Sequence, residues 1–212
     1  ITVKMKGILL INLGSPNDLS SSSIKNFLTE FLSDDLVVDY PKFIQQPLVR
    51  GIIVPFRYKN TQSAYKEVWT ENGSPLILTT RNLAQELSNE TSLPVEIAMR
   101  YQNPSIREGL DALANRGCTK IKVVPLYPHF AISTTLTTKL KVEEELTKMD
   151  MDIEVEYIDS FFDSNLYIKA LSSIIKENMD PESDLLLFSY HGIPKRHLKK
   201  ATKERNHSEE LC

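Results

Sequence analysis

Five short apolar runs punctuate this 212-residue chain, and the stretches between them carry helical spacing. That alternation constrains the fold more than any other feature. The runs are Gly7 to Asn12, Val95 to Tyr101, Ile121 to Pro128, Asp152 to Asp159 and Asp184 to Tyr190. Short and near-continuously apolar, they read as parallel strands covered on both faces by helices. In the first intervening stretch, Ile24, Phe27, Leu28, Phe31 and Leu32 recur at three and four, and Ser20 to Ser23 supply an N-cap. Leu36 to Pro55 is apolar and broken by Pro41, Pro47 and Pro55, with a helical stretch expected near Leu48 to Val54. Ser63 to Trp69 resumes a helix, with Ala64, Tyr65, Val68 and Trp69 on one stripe. Further helices are predicted from Leu76 to Leu87, from Ile106 to a stop at Gly117, from Thr134 to Met149 and from Tyr167 to Ile175. The acidic centre Glu143 to Glu145 reads as a solvated face. Strand and helix alternating in this way predict a doubly wound α/β architecture.

The last run sits in DLLLFSYHGIP, Asp184 to Pro194, and places His191 at the carboxyl tip of a strand. Open α/β sheets bind their ligands there. LLINLGSP (Leu9 to Pro16) echoes LLFSYHGIP (Leu186 to Pro194), putting Leu13 opposite His191. Two similar doubly wound domains facing across a cleft are therefore expected, the first over residues 1–182 and the start of the second over 183–212, with most of the second missing from this chain. Ile1 in place of Met, and the polar, highly charged stretch from Lys195 to Cys212, lead us to expect a longer natural polypeptide.

Composition excludes several classes. A net charge of −3 gives no electrostatic footprint for nucleic acid. No run approaches the roughly 18 apolar residues of a membrane span, which leaves a peripheral membrane contact open. Two cysteines without a spacing motif, Cys118 and Cys212, fit a reducing compartment, and a cytoplasmic location is expected. There is no Gly-x-Gly-x-x-Gly or Gly-Lys-Ser/Thr phosphate loop, and no Gly-x-Ser-x-Gly elbow. His129, His191, His197 and His207 lack zinc spacing.

What stands at the predicted strand tips is Leu13, Tyr101, Tyr127, His129 and His191, with Arg57, Tyr65 and Ser74 from the long first excursion. Aromatic and aliphatic walls with arginine and hydroxyl donors suit a large flat apolar ligand with peripheral carboxylates. Each residue has a plainer reading too: Tyr65 and Trp69 as core, Arg57 and Arg100 as turn or surface, Ser74 as a turn former.

NLGSP, VPFR with KNTQSAYKEVW, GSPL, AMRY, PLYPHF before STT, and FSYHGIP, in that order, together resemble the ferrochelatase family over Gly7 to about Arg196. The resemblance implies two Rossmann-like, chelatase-type domains and an enzyme that inserts ferrous iron into a porphyrin in haem synthesis. It implies His191 as catalytic residue and iron ligand. It implies Leu13, Arg57, Tyr65, Ser74, Tyr101 and Tyr127 as porphyrin-binding residues. A neutral imidazole can ligate iron(II) or accept a pyrrole proton, and both roles stay open for His191. The partners implied are porphyrin and ferrous iron, with oligomeric state unassigned. No resident cofactor is implied. Some relatives carry an iron–sulfur cluster, but Ile132 stands where one of its cysteines would lie, and Cys212 is left open as part of another arrangement. The Gly-Asp-Pro-Tyr segment of many relatives is absent after Arg196, so His197 and His207 read as surface residues. The family's catalytic glutamate belongs to the second domain past Cys212, and Glu204, Glu209 and Glu210 are not assigned to it. Readings of another kind are a non-catalytic tetrapyrrole carrier and a cobalt-type chelatase of the same fold.

Overall fold

The computed structural model describes residues 5–205. Among them, the first four apolar runs form the strands β1 (Met5–Asn12), β2 (Val95–Met99), β3 (Cys118–Pro125) and β4 (Glu154–Tyr157). They pair in one all-parallel sheet of order β2-β1-β3-β4. The helices are α1 (Ser21–Leu32), α2 (Lys42–Leu48), α3 (Val54–Val68), α4 (Pro75–Thr91), α5 (Ile106–Asn115), α6 (Thr137–Met149), α7 (Asn165–Asn178) and α8 (Lys195–Arg205).

β1 is the centre because every residue from Gly7 to Ile11 is buried. Side chains of a strand alternate between faces. Leu9 and Ile11 pack with Leu110 and Leu113 of α5 and Val142 of α6. Ile8 and Leu10 turn the other way, onto Ala84 of α4 with Ile97 and Met99. Helices on both faces of a parallel sheet make it doubly wound, as the alternation predicts. From β1 the chain steps to β2 on one side, then crosses to β3 on the other. The order therefore reverses between β1 and β3, and the crevice beyond their carboxyl ends is where such sheets receive ligands.

Local chemistry fixes the element ends. The Ser20 side chain accepts from Ser23 N–H and caps α1. Ser105 and Glu108 form a reciprocal capping box at the start of α5, at 3.2 and 2.6 Å. Gly14 closes β1 with φ +105°, and a Cβ there would stand 2.0 Å from the Tyr101 carbonyl oxygen. The stretch predicted near Leu48 to Val54 is helical but is wound as a π turn, Val49–Ile53, joining α2 to α3. Pro47 lies just before it, inside α2. A proline there has no N–H for the ladder and crowds the carbonyl one turn back, so the winding is interrupted. A second π turn, Ile132–Leu136, leads into α6.

Three expectations are corrected. The fifth run forms no strand: residues 185–194 have no regular structure, and Leu185, Leu187, Phe188 and Tyr190 are exposed. A strand persists only where its backbone groups find partners, and neither sheet edge, β2 or β4, pairs with this run. Of the stripe on α3, Tyr65 and Trp69 are half-buried while Ala64 and Val68 face solvent, and it is Tyr65 that meets Phe27 of α1. Glu145 is not solvated; it is buried and held by Lys141 at 2.9 Å and Lys148 at 3.2 Å.

Replacing Gly14 by alanine should destabilise the protein by roughly 2–4 kcal/mol, since left-handed backbone and a carbonyl clash coincide. Chemical denaturation would check this; a variant as stable as the parent would refute the assignment.

Candidate active site

Four loops meet at the carboxyl edge of the sheet. After β1, the carbonyls of Asn12 and Leu13 accept the N–H groups of Arg100 (2.8 Å) and Tyr101 (3.0 Å), so the β1–β2 ladder continues into the loops. The Leu126 N–H bonds Ile11 O at 2.8 Å and brings the loop after β3 alongside. Leu13 and Tyr127 thus flank the crevice, both half-buried.

Over these tips lies a charged cluster built on Asp34, in the turn after α1. Its Oδ2 accepts from Arg100 Nη2 at 2.6 Å, from the Tyr101 hydroxyl at 2.8 Å and from the Thr137 hydroxyl. Its Oδ1 accepts from Leu36 N–H at 2.8 Å. Arg100 Nε donates to Thr137 Oγ1 at 2.9 Å, and the guanidinium lies 4.4 Å from the Tyr101 ring centre. The carboxylate is 8% exposed and the guanidinium side chain 13%. A buried carboxylate requires this number of donors; removing one partner of such a pair costs about 3–5 kcal/mol.

Tyr101 itself is 0% exposed, with its ring edge-on to Phe31 at 5.2 Å. Burial raises its phenol well above the ordinary tyrosine value; Asp34 adds to this and Arg100 opposes it. It is an internal strut and lines no open surface. Burial likewise raises the phenol of Tyr127. The Thr138 hydroxyl stands beside it, yet neither group reaches good hydrogen-bond geometry.

Ser74 is buried at the N-cap of α4 and, with Pro16, Asn17, Trp69 and Arg81, bounds a small cavity of about 140 Å³. Tyr65 packs edge-on to Phe27 and Trp69, each at 6.1 Å, and burial raises its phenol. Arg57 is exposed on α3.

His191 is exposed on the irregular segment that follows α7 and lines a larger cavity of about 490 Å³. The loop after β3 forms its other wall, through His129, Ile132 and Ser133, with Phe162, Tyr190 and His197 completing it. His129 stacks on Phe162 at 4.9 Å. The structure therefore gathers the expected residues in two places: His191 over the β3 loop, and Ser74 near the β1 turn. The two cavities share no lining residue. Among the described residues, no group of three or more His, Cys, Asp or Glu gathers to hold a metal.

His197 is not a surface residue. It is 5% exposed, because α8 lays it with Ala201 and Thr202 against the protein interior. Asp39 secures that helix, accepting from Lys200 Nζ at 2.7 Å with Arg196 Nε at 3.3 Å. The Lys200 contact holds the Asp39 carboxyl below its usual range. Burial lowers the His197 imidazole, aided by the cations Arg196 and Lys200 and opposed by Asp39. His207, Glu209, Glu210 and Cys212 lie outside the described residues, as does the side chain of Glu204.

A parallel α/β sheet with aromatic, arginine and histidine side chains at its strand tips defines a ligand-binding domain of the open-sheet class. Comparison with known proteins narrows this. The family model described as ferrochelatase matches residues 5–210, and the chain belongs to the ferrochelatase family. It is 40% identical over 205 residues to a ferrochelatase of Opitutus terrae, covering 95% of this chain and 59% of that relative. It is also 40% identical over 195 residues to one of Photobacterium profundum, covering 90% and 60%. A ferrochelatase of Vibrio cholerae is 38% identical over 196 residues, covering 92% and 61%. The chain thus spans about three fifths of the length of these relatives. Their names do not favour the carrier or cobalt-chelatase readings. Among the described residues, no helix is long and apolar enough to cross a membrane.

The lowered imidazole of His197 gives a pH signature. A depressed folded value means that stability is full above the unfolded value, about 6.5, and is lost as pH falls through the folded one. Hydrogen exchange in the full-length protein should show α8 losing protection below that pH, and His197→Phe should remove the dependence. Unchanged protection down to the carboxylate range would contradict the buried placement.

Proposed function

We propose that this chain supplies one wall of a ferrochelatase that inserts ferrous iron into a porphyrin, and that residues 1–182 are its first domain and 183–212 the start of a second. The observation that carries this reading is His191 lining the cavity of about 490 Å³ beside the loop after β3. Cavities of that size take ligands of this class.

The reaction replaces two pyrrole N–H protons with one iron(II) ion and releases both protons. Iron and porphyrin are its substrates, and no resident cofactor enters the proposal. A neutral His191 imidazole is suited to hold the ion or to take a proton as the metal enters. His129, stacked on Phe162, gives the cavity a flat wall. Leu13 and Tyr127 pack against the macrocycle, Tyr65 supports that surface, and Ser74 and Arg57 serve its carboxylates. Tyr101 acts from behind, as the buried strut of the β2 tip. The location we propose is cytoplasmic.

In the full-length protein, His191→Ala should abolish metal insertion, followed as the change in porphyrin visible absorbance with ferrous or zinc ion. Porphyrin binding should be retained. An active His191→Ala protein would sink the proposal.

A further inference from the structure

The Arg100 side chain reaches across the tip of β1. Its backbone N–H bonds Asn12 O, its Nε bonds Thr137 at the start of α6, and its charge acts on Tyr127 beyond β3. A guanidinium carries five N–H donors in a rigid fork. Here Nε is held by Thr137 and Nη2 by Asp34, while Nη1 makes no hydrogen bond among the described residues. Nor is Nη1 among the buried side-chain atoms that lack a partner. Two corners of the fork are pinned, and the third, the Nη1 edge, belongs to a side chain that is 13% exposed and lies across the tip of β1.

Pinning decides what that edge can do. A free arginine gives up side-chain entropy when it binds an anion, and a fork already fixed does not. Asp34 is the residue that fixes it, because the same Oδ2 also takes the Tyr101 and Thr137 hydroxyls and locks all three partners in one arrangement. We infer that Asp34 is a positioning residue, holding Arg100 so that its Nη1 edge receives a carboxylate side chain of the tetrapyrrole. This rests on the porphyrin reading above but does not require metal insertion. Asp34 touches no substrate and acts through Arg100.

The test is porphyrin binding by the full-length protein, titrated by fluorescence with deuteroporphyrin and with its dimethyl ester in the same detergent. Asp34→Asn keeps the shape and removes the charge. It should weaken binding of the free acid about tenfold, the scale of one charge-assisted hydrogen bond, and that of the ester by less than about twofold. Arg100→Lys keeps the positive charge and loses the fork. It should give the same pattern, and it carries the test if Asp34→Asn does not fold. Acid and ester weakening together in both variants, or neither changing, would overturn the inference. A wild-type protein that discriminates acid from ester through Asp34 but inserts no metal would refute the chelatase reading and leave this one standing. Active wild type whose discrimination ignores both variants would do the reverse.

Discussion

One buried carboxylate joins the parts of this structure that a parallel sheet leaves separate. In such a sheet the backbone ladder runs a residue or two past the strand tips, and each chain then continues into its own loop. Asp34 gathers the loop after α1, the tip of β2 and the start of α6 through one oxygen and its three donors. The cost of taking a carboxylate out of water is offset only while all these donors are present. The arrangement is therefore close to all-or-none, and it ties side chains of three elements together beyond the reach of the backbone ladder. Five residues after Asp34, the Asp39 clasp on α8 works by weaker means, since its partners Arg196 and Lys200 are half exposed and screened by solvent.

Much of the scaffold was legible in the sequence. The runs at Gly7, Val95 and Ile121 became strands, because an apolar stretch of that length has few other ways to bury itself. The serines before Ile24 cap α1 as read, since capping is a contact within a few residues. Signals of that range survive translation into structure almost unchanged.

What was not legible depends on distant partners. Asp34 and Asp35 look alike in sequence, yet one is buried and the other exposed; the bonds that decide it reach 66 and 103 positions away. His197 reads as polar surface because only the docking of α8 buries it. Tyr101 stood with the other strand-tip aromatics, and only its contact with Phe31 and Asp34 distinguishes a strut from a wall. The run at Asp184 has a strand's composition but no partner strand among the described residues, and composition does not report partners.

That unpaired run bears on the order of events during synthesis. All four strands of the ladder lie ahead of this run in the chain, the last ending at Tyr157. Domains fold as units while the chain emerges at about 5–20 residues per second. Leu185 to Phe188 leave the tunnel after that ladder, and in this structure their apolar side chains are exposed. The apolar face of α7, with Leu166 and Ile174 exposed, emerges just ahead of them. Exposed apolar residues of this kind are what chaperones bind and what drives nascent chains to associate. In chain order, these exposed residues follow every strand of the first sheet, so its pairing does not wait on them.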